Sequence, residues 1–208
     1  MVGVMGENRG MKPWPKDLRD LTFVSLDTET TGLSPRYCEL VEVAAVRFRL
    51  GGEEMGRFDQ LIDPGCRIPY QASAVHGITD GMVRGKPKLE AVLPKFFDFL
   101  NAADSVVLIH NASFDLGFIR TAALRVGVAC PQRNVIDTLG LSRKRLPQLH
   151  SHRLDVLVSM FLAMRGADHR AGGDADALRR IFERLVALAP VIGSVADLLA
   201  HAKLKRFG

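Results

Sequence analysis

Leu21-Thr22-Phe23-Val24-Ser25-Leu26-Asp27-Thr28-Glu29-Thr30-Thr31-Gly32 is an apolar run that ends in two acids one residue apart. Residues 21–28 read as a buried strand, and side chains two apart on a strand share a face, roughly 6–7 Å apart along the chain. Asp27 and Glu29 therefore leave the sheet together. Two carboxylates side by side near a core repel and raise each other's pKa, and a divalent cation is the simplest way to keep both ionised. Oxygen-only ligands favour Mg²⁺ or Mn²⁺ over Zn²⁺. The alternative is a strand that simply ends in two solvated acids.

Two later segments add to the pair. His110-Asn111-Ala112-Ser113-Phe114-Asp115 follows the strand-like run 105–109, and Leu116, Ile119, Ala123 and Val126 continue at helical spacing. Asp115 thus falls in the first turn of a helix beside a strand end, where the helix dipole also favours an acid. Further on, His169-Arg170-Ala171-Gly172-Gly173-Asp174-Ala175 precedes an amphipathic segment over 174–188. On one continuous helix His169 and Asp174 would lie about 140° apart. Their pairing predicts a backbone turn at Gly172-Gly173 and a mobile histidine loop. An acid before a helix is also a common N-cap.

Acid-x-acid, a later acid, then a histidine followed five residues on by an acid resembles the DEDDh 3′-to-5′ exonucleases, the family of the proofreading epsilon subunit of bacterial DNA polymerase III. The resemblance runs over residues 23–186 with the motifs in the family's order. Val75-His76-Gly77-Ile78-Thr79 and Val135-Ile136-Asp137-Thr138-Leu139 look like its secondary signatures. Tyrosine in place of His169 would mark the sister subgroup, but the only tyrosines are Tyr37 and Tyr70, outside that motif.

The resemblance implies an α/β, ribonuclease H-like fold: a central mixed five-stranded sheet flanked by helices. It also implies two Mg²⁺ or Mn²⁺ ions, the first held by Asp27, Glu29 and Asp174, the second bridged by Asp27 and supported by Asp115, with His169 as general base. Thr30, Thr31, His76, Asn111 and Phe114 are the implied contacts to a terminal nucleotide. Each also has a structural reading: strand end for the threonines, helix residue for His76, turn former for Asn111, core for Phe114. Asp137 reads as an N-cap, Asp176 comes two positions too late for the motif, and Arg143-Lys144-Arg145 reads as a solvated helix face or a phosphate contact. The expected partner is a single-stranded nucleic acid 3′ end, DNA rather than RNA, together with a DNA polymerase or none. The rival readings are a 3′-to-5′ exoribonuclease, a non-catalytic nucleic-acid-binding module and a haloacid-type phosphatase on Asp27. Glu29 disfavours the last, because it stands where that family has a second aspartate.

Composition sets outer limits. The 208 residues suit one domain, and 47% hydrophobic with 25% charged residues argues against widespread disorder. Lys and Arg outnumber the acids 28 to 23. With several acids gathered at one site, the remaining surface is more basic still, which suits a phosphate backbone. Cys38, Cys66 and Cys130 are odd in number and without metal spacing, so they read as free thiols in a reducing compartment. Without an apolar run of membrane-spanning length or a signal peptide, a cytoplasmic protein that does not enter membranes is expected.

The expected organisation is a flexible extension over 1–19, an exonuclease domain over 20–190 and a short tail over 191–208 holding one helix from about Val195. Strands are predicted over 21–28, 41–49, 56–62 and 105–109. Helices are predicted over 88–101, with Pro94 giving a kink or a later start, and over 113–126, 137–145, 152–164 and 174–188.

Overall fold

A computed structural model describes residues 14–52, 54–102, 105–163, 169–202 and 204–208. The first predicted strand is β1 (Thr22–Thr30), followed by β2 (Leu40–Phe48) and β3 (Glu54–Leu61). These three are antiparallel neighbours, β1 with β2 and β2 with β3. After two short helices, α1 (Tyr70–His76) and α2 (Asp80–Val83), come α3 (Leu89–Asn101), β4 (Ser105–Ile109), α4 (Ser113–Val126) and β5 (Asn134–Asp137). The chain closes with α5 (Thr138–Arg145), α6 (Leu154–Leu162), α7 (Ala171–Ala187), α8 (Val195–His201) and β6 (Leu204–Arg206).

The described strands form one mixed sheet in the order β3-β2-β1-β4-β5-β6, with β4 parallel to both β1 and β5. The sixth strand is the addition to the expected five. It is a three-residue strand that pairs antiparallel with β5 at the edge.

Alternation along β1 sorts its side chains between two helical layers. Val24 and Leu26 join the core under α3 and α4, whereas Phe23 joins the core under α5 to α8. Pro94 does not start the helix later: α3 runs through it from Leu89 to Asn101. A proline inside a helix costs about 3 kcal/mol. Burial of Val92, Leu93, Phe96, Phe97 and Leu100 contributes about 1.5–3 kcal/mol each and outweighs it.

The glycine pair behaves differently from its sequence reading. Helix α7 passes straight through Gly172 and Gly173, so the turn before Asp174 is not made there. It is made at His169, with φ +49°, and at Arg170, which is extended. Gly172 serves close approach instead: a Cβ at that position would stand 2.2 Å from Asp59 Oδ2 on β3.

Both flanks of the expected 20–190 domain pack onto it where they are described. Residues 1–13 of the expected flexible extension lie outside the described residues. Asp17 forms a bridge with Ser194, the Leu18 amide donates to the Gly193 carbonyl, and Leu18 is buried. Residues 191–208 supply α8, β6 and Phe207, whose ring is buried against Phe97. The predicted helix over 152–164 is α6, ending at Leu162, and Met164 lies outside the described residues. Among the described residues no helix is long and apolar enough to cross a membrane.

Candidate active site

β1 ends where the two helical layers meet, and that meeting point is the site. Asp27 and Glu29 point to the α7 side of the sheet, and α7 brings Asp174 to them from its first turn. One carboxylate oxygen from each of the three lies within 4.8 Å of the others. Asp115 arrives from the opposite layer, in the first turn of α4, and is buried. Its Oδ1 accepts a 2.7 Å hydrogen bond from the Thr28 hydroxyl. All four acids line one cavity of about 560 Å³, together with His169, Asn111 and Phe114.

Burial and mutual repulsion dominate the electrostatics of this cluster. Burial, then the neighbouring Asp115, Asp174, Glu29 and Glu42, push the Asp27 carboxyl well above the usual range. Burial and the carboxylates of Asp174, Glu42 and Asp115 push Glu29 up to about 8, with Arg170 opposing the shift. Asp115 is pushed up to about 7 by burial, against the hydrogen bond from Thr28. Hard divalent cations would reverse these shifts, and an all-oxygen donor set suits Mg²⁺ or Mn²⁺.

The remaining expected contacts divide. Asn111, at φ +64°, and Phe114 are on the cavity wall. Phe114 also packs on the ring of Phe118 at 5.0 Å, so it is core and wall at once. Thr30, Thr31 and His76 are buried and are not on that wall. The Thr30 hydroxyl donates to the Gly32 carbonyl, and Thr31 Oγ1 accepts from the Glu39 amide. His76 Nδ1 accepts from the Ile78 amide. These three shape the turn after β1 and the end of α1.

Asp137 is the N-cap of α5, accepting from the Leu139 amide and also from the Asn111 amide. Asp176 pairs with Arg179 at 3.1 Å. The basic run splits: Arg143 is on the cavity wall, Lys144 donates to the Ala200 carbonyl, and Arg145 donates to the carbonyls of Leu185, near the end of α7, and Pro190, beyond it.

The second wall of the cavity comprises Arg143, read from the sequence as a solvated helix face or a phosphate contact, together with His110 and the segment 150–155, which sequence reasoning did not assign to the site. His110 Nε2 donates to the His152 carbonyl at 2.8 Å and holds that segment in place, while burial lowers the pKa of its imidazole. For the segment 150–155, only the position of His110, immediately after β4 and at the head of the Asp115 motif, carried any hint.

The sequence matches the RNase_T exonuclease family over residues 24–182. It is 39% identical over 187 residues to the PolC-type DNA polymerase III of Halalkalibacterium halodurans, which covers 90% of this chain and 13% of the relative. It is also 39% identical over 186 residues to the PolC-type DNA polymerase III of Thermotoga maritima, covering 89% of this chain and 13% of that one. The chain thus spans about an eighth of the length of these relatives. The fold is similar to that of exonuclease X in complex with 5′-overhanging duplex DNA. There the TM-score is 0.60 at 24% identity, covering 83% of this chain and 95% of that one. It is similar as well to E. coli exonuclease I in complex with a dA16 oligonucleotide, with a TM-score of 0.68 at 21% identity, covering 80% and 41%.

Proposed function

The chain belongs to the RNase_T exonuclease family, and we propose that it is a metal-dependent 3′-to-5′ exonuclease that trims the 3′ end of single-stranded DNA. One observation carries this reading: Asp27, Glu29 and Asp174 converge from two elements to within 4.8 Å in the cavity that Asp115 and His169 also line. Acids pushed to high pKa values by burial and by neighbouring carboxylates need cations to ionise together, and carboxylate oxygens select hard ones.

Asp27, Glu29 and Asp174 would hold one Mg²⁺ or Mn²⁺ ion, and Asp27 with Asp115 a second. Bound there, the two ions would offset negative charge on the attacking and departing oxygens of an in-line displacement at phosphorus. His169 accepts the proton of the attacking water, the role of general base that an imidazole on the cavity wall is suited to. The water oxygen bonds to phosphorus as the bond to the 3′ oxygen breaks. That oxygen takes a proton from solvent, and a nucleoside 5′-monophosphate leaves. Asn111 and Phe114 contact the terminal nucleotide from the wall, while Thr30, Thr31 and His76 act through the backbone they shape.

DNA is favoured over RNA because the relatives are DNA polymerases by name and the similar exonuclease structures are complexes with duplex DNA and a dA16 oligonucleotide. A DNA polymerase is the protein partner this implies. The test uses end-labelled single-stranded DNA and RNA oligonucleotides with Mg²⁺, Mn²⁺ or chelator, beside Asp27→Ala. Stepwise mononucleotide release from the 3′ end of DNA, lost with chelator and in the variant, is expected. Internal cleavage or chelator-resistant activity would overturn the reading, and faster loss of the RNA would reassign the substrate.

A further inference from the structure

Resting on the role of His169 as general base, we propose that Glu42 and Arg170 are positioning residues, an ionic clamp on a buried carboxylate that sets where the His169 imidazole stands in the cavity. Glu42 lies on β2 directly across from Glu29 and is 1% exposed. A carboxylate this buried beside a cluster of acids is costly unless something on its own side neutralises it. Arg170 does so, with Nε 3.2 and 3.1 Å from the two carboxylate oxygens and a further contact from Nη2. The Ala171 amide donates to the same carboxylate at 2.9 Å.

Helix α7 has no N-terminal cap from the side chain of Arg170, its own cap residue. Glu42 supplies that cap from a neighbouring strand, satisfying a free amide of the first turn and placing negative charge at the positive end of the helix. Ala171 and Ala175 pack on Ala44 and Val46, so small side chains let the first turn of α7 lie close on β2. The clamp therefore fixes the backbone at the residue immediately after His169. His169 itself is held at φ +49°, a conformation that a non-glycine residue keeps only when its surroundings over-determine it. A base displaced by a fraction of an ångström loses much of its advantage, so holding this turn serves turnover rather than cation or substrate binding.

The test pairs Glu42→Gln and Arg170→Gln with His169→Ala in the full chain. Turnover is measured on end-labelled single-stranded DNA with Mn²⁺, and Mn²⁺ affinity by calorimetry. Each single clamp variant is expected to lose about 10- to 100-fold in kcat, since misplacing a reacting group costs that order, with KM within about twofold of the parent and Mn²⁺ affinity changed far less than kcat. In the His169→Ala background the same substitutions are expected to cost nothing further, because they act through the missing imidazole. Equal fold-losses in both backgrounds, or unchanged kcat in the single variants, would overturn the clamp. A parallel loss of Mn²⁺ affinity would overturn it too, by assigning Glu42 to the metal acids. Arg170 is a third exposed, so its variant carries the test if Glu42→Gln fails to fold. Full turnover by His169→Ala alone would instead refute the general-base reading on which the clamp rests.

Discussion

The Thr28 hydroxyl donates a 2.7 Å hydrogen bond to Asp115 Oδ1, tying the strand that carries Asp27 and Glu29 to the helix on the other side of the sheet. Thr28 points away from its two acidic neighbours, as strand alternation requires, and that places its hydroxyl where Asp115 arrives. Thr28→Val keeps the shape of the side chain and removes the donor. Turnover is expected to fall about 10- to 100-fold, with weaker Mn²⁺ binding, since an outer-shell partner orients the ligand it touches. Parallel kinetics and Mn²⁺ titration check this, and parental values in both would show that Asp115 is held by other means.

His169→Ala is expected to keep Mn²⁺ affinity and lose on the order of 10² to 10⁴-fold in turnover, the contribution of a positioned general base. Single-turnover cleavage beside a calorimetric Mn²⁺ titration separates the two quantities. Loss of affinity instead of rate would make His169 part of the metal site.

The acid cluster makes metal-free stability depend on pH with a definite sign. Glu29 is shifted from its ordinary 4.5 to about 8 in the fold, and Asp115 from 3.8 to about 7. The folded state therefore binds more protons than the unfolded chain between those values, and stability falls as pH rises. The stabilisation is complete below about pH 4 and is lost by about pH 8. With Mn²⁺ bound the carboxylates are neutralised, so the gap in Tm between Mn²⁺ and chelator is expected to widen from pH 5 to pH 8. Thermal melts across that range check it, and a constant gap would mean that the acids are not coupled to the cation.

Phe207, second from the end of this sequence, is fully buried and meets the Phe97 ring edge-on at 6.2 Å. Phe207→Ala is expected to destabilise the protein by about 3–5 kcal/mol, the usual cost of emptying an aromatic site in a core. Urea unfolding measures it. A loss under about 1 kcal/mol would show that the end of the chain is dispensable to the fold.

Strand 105–109 and helix 113–126 were legible to the residue, because each is bounded in sequence by a change of period and buries one continuous apolar face. The pairing of Asp27 with Glu29 was legible for a similar reason: two residues apart on a strand means one face, whatever the strand packs against. The turn before Asp174 was not. Two glycines suggested a bend, yet the helix continues through them, since the need for glycine at position 172 comes from Asp59 on β3, more than a hundred residues earlier. The docking of residues 191–208 was hidden as well, because a three-residue edge strand and one buried phenylalanine carry no periodicity to read.

Local spacing along the chain thus determined which acids share a face and which strand ends carry them, since strand and helix geometry depends on neighbouring residues alone. The tertiary structure decided what no local rule contains. It brought α7 across the sheet so that Asp174 meets Asp27 and Glu29, set Asp115 on the opposite layer under Thr28, and closed Glu42 onto Arg170 beside His169. Those contacts join residues some 87 to 147 positions apart in sequence, and they exist only because burying the two faces of one sheet forces the helices that carry them together.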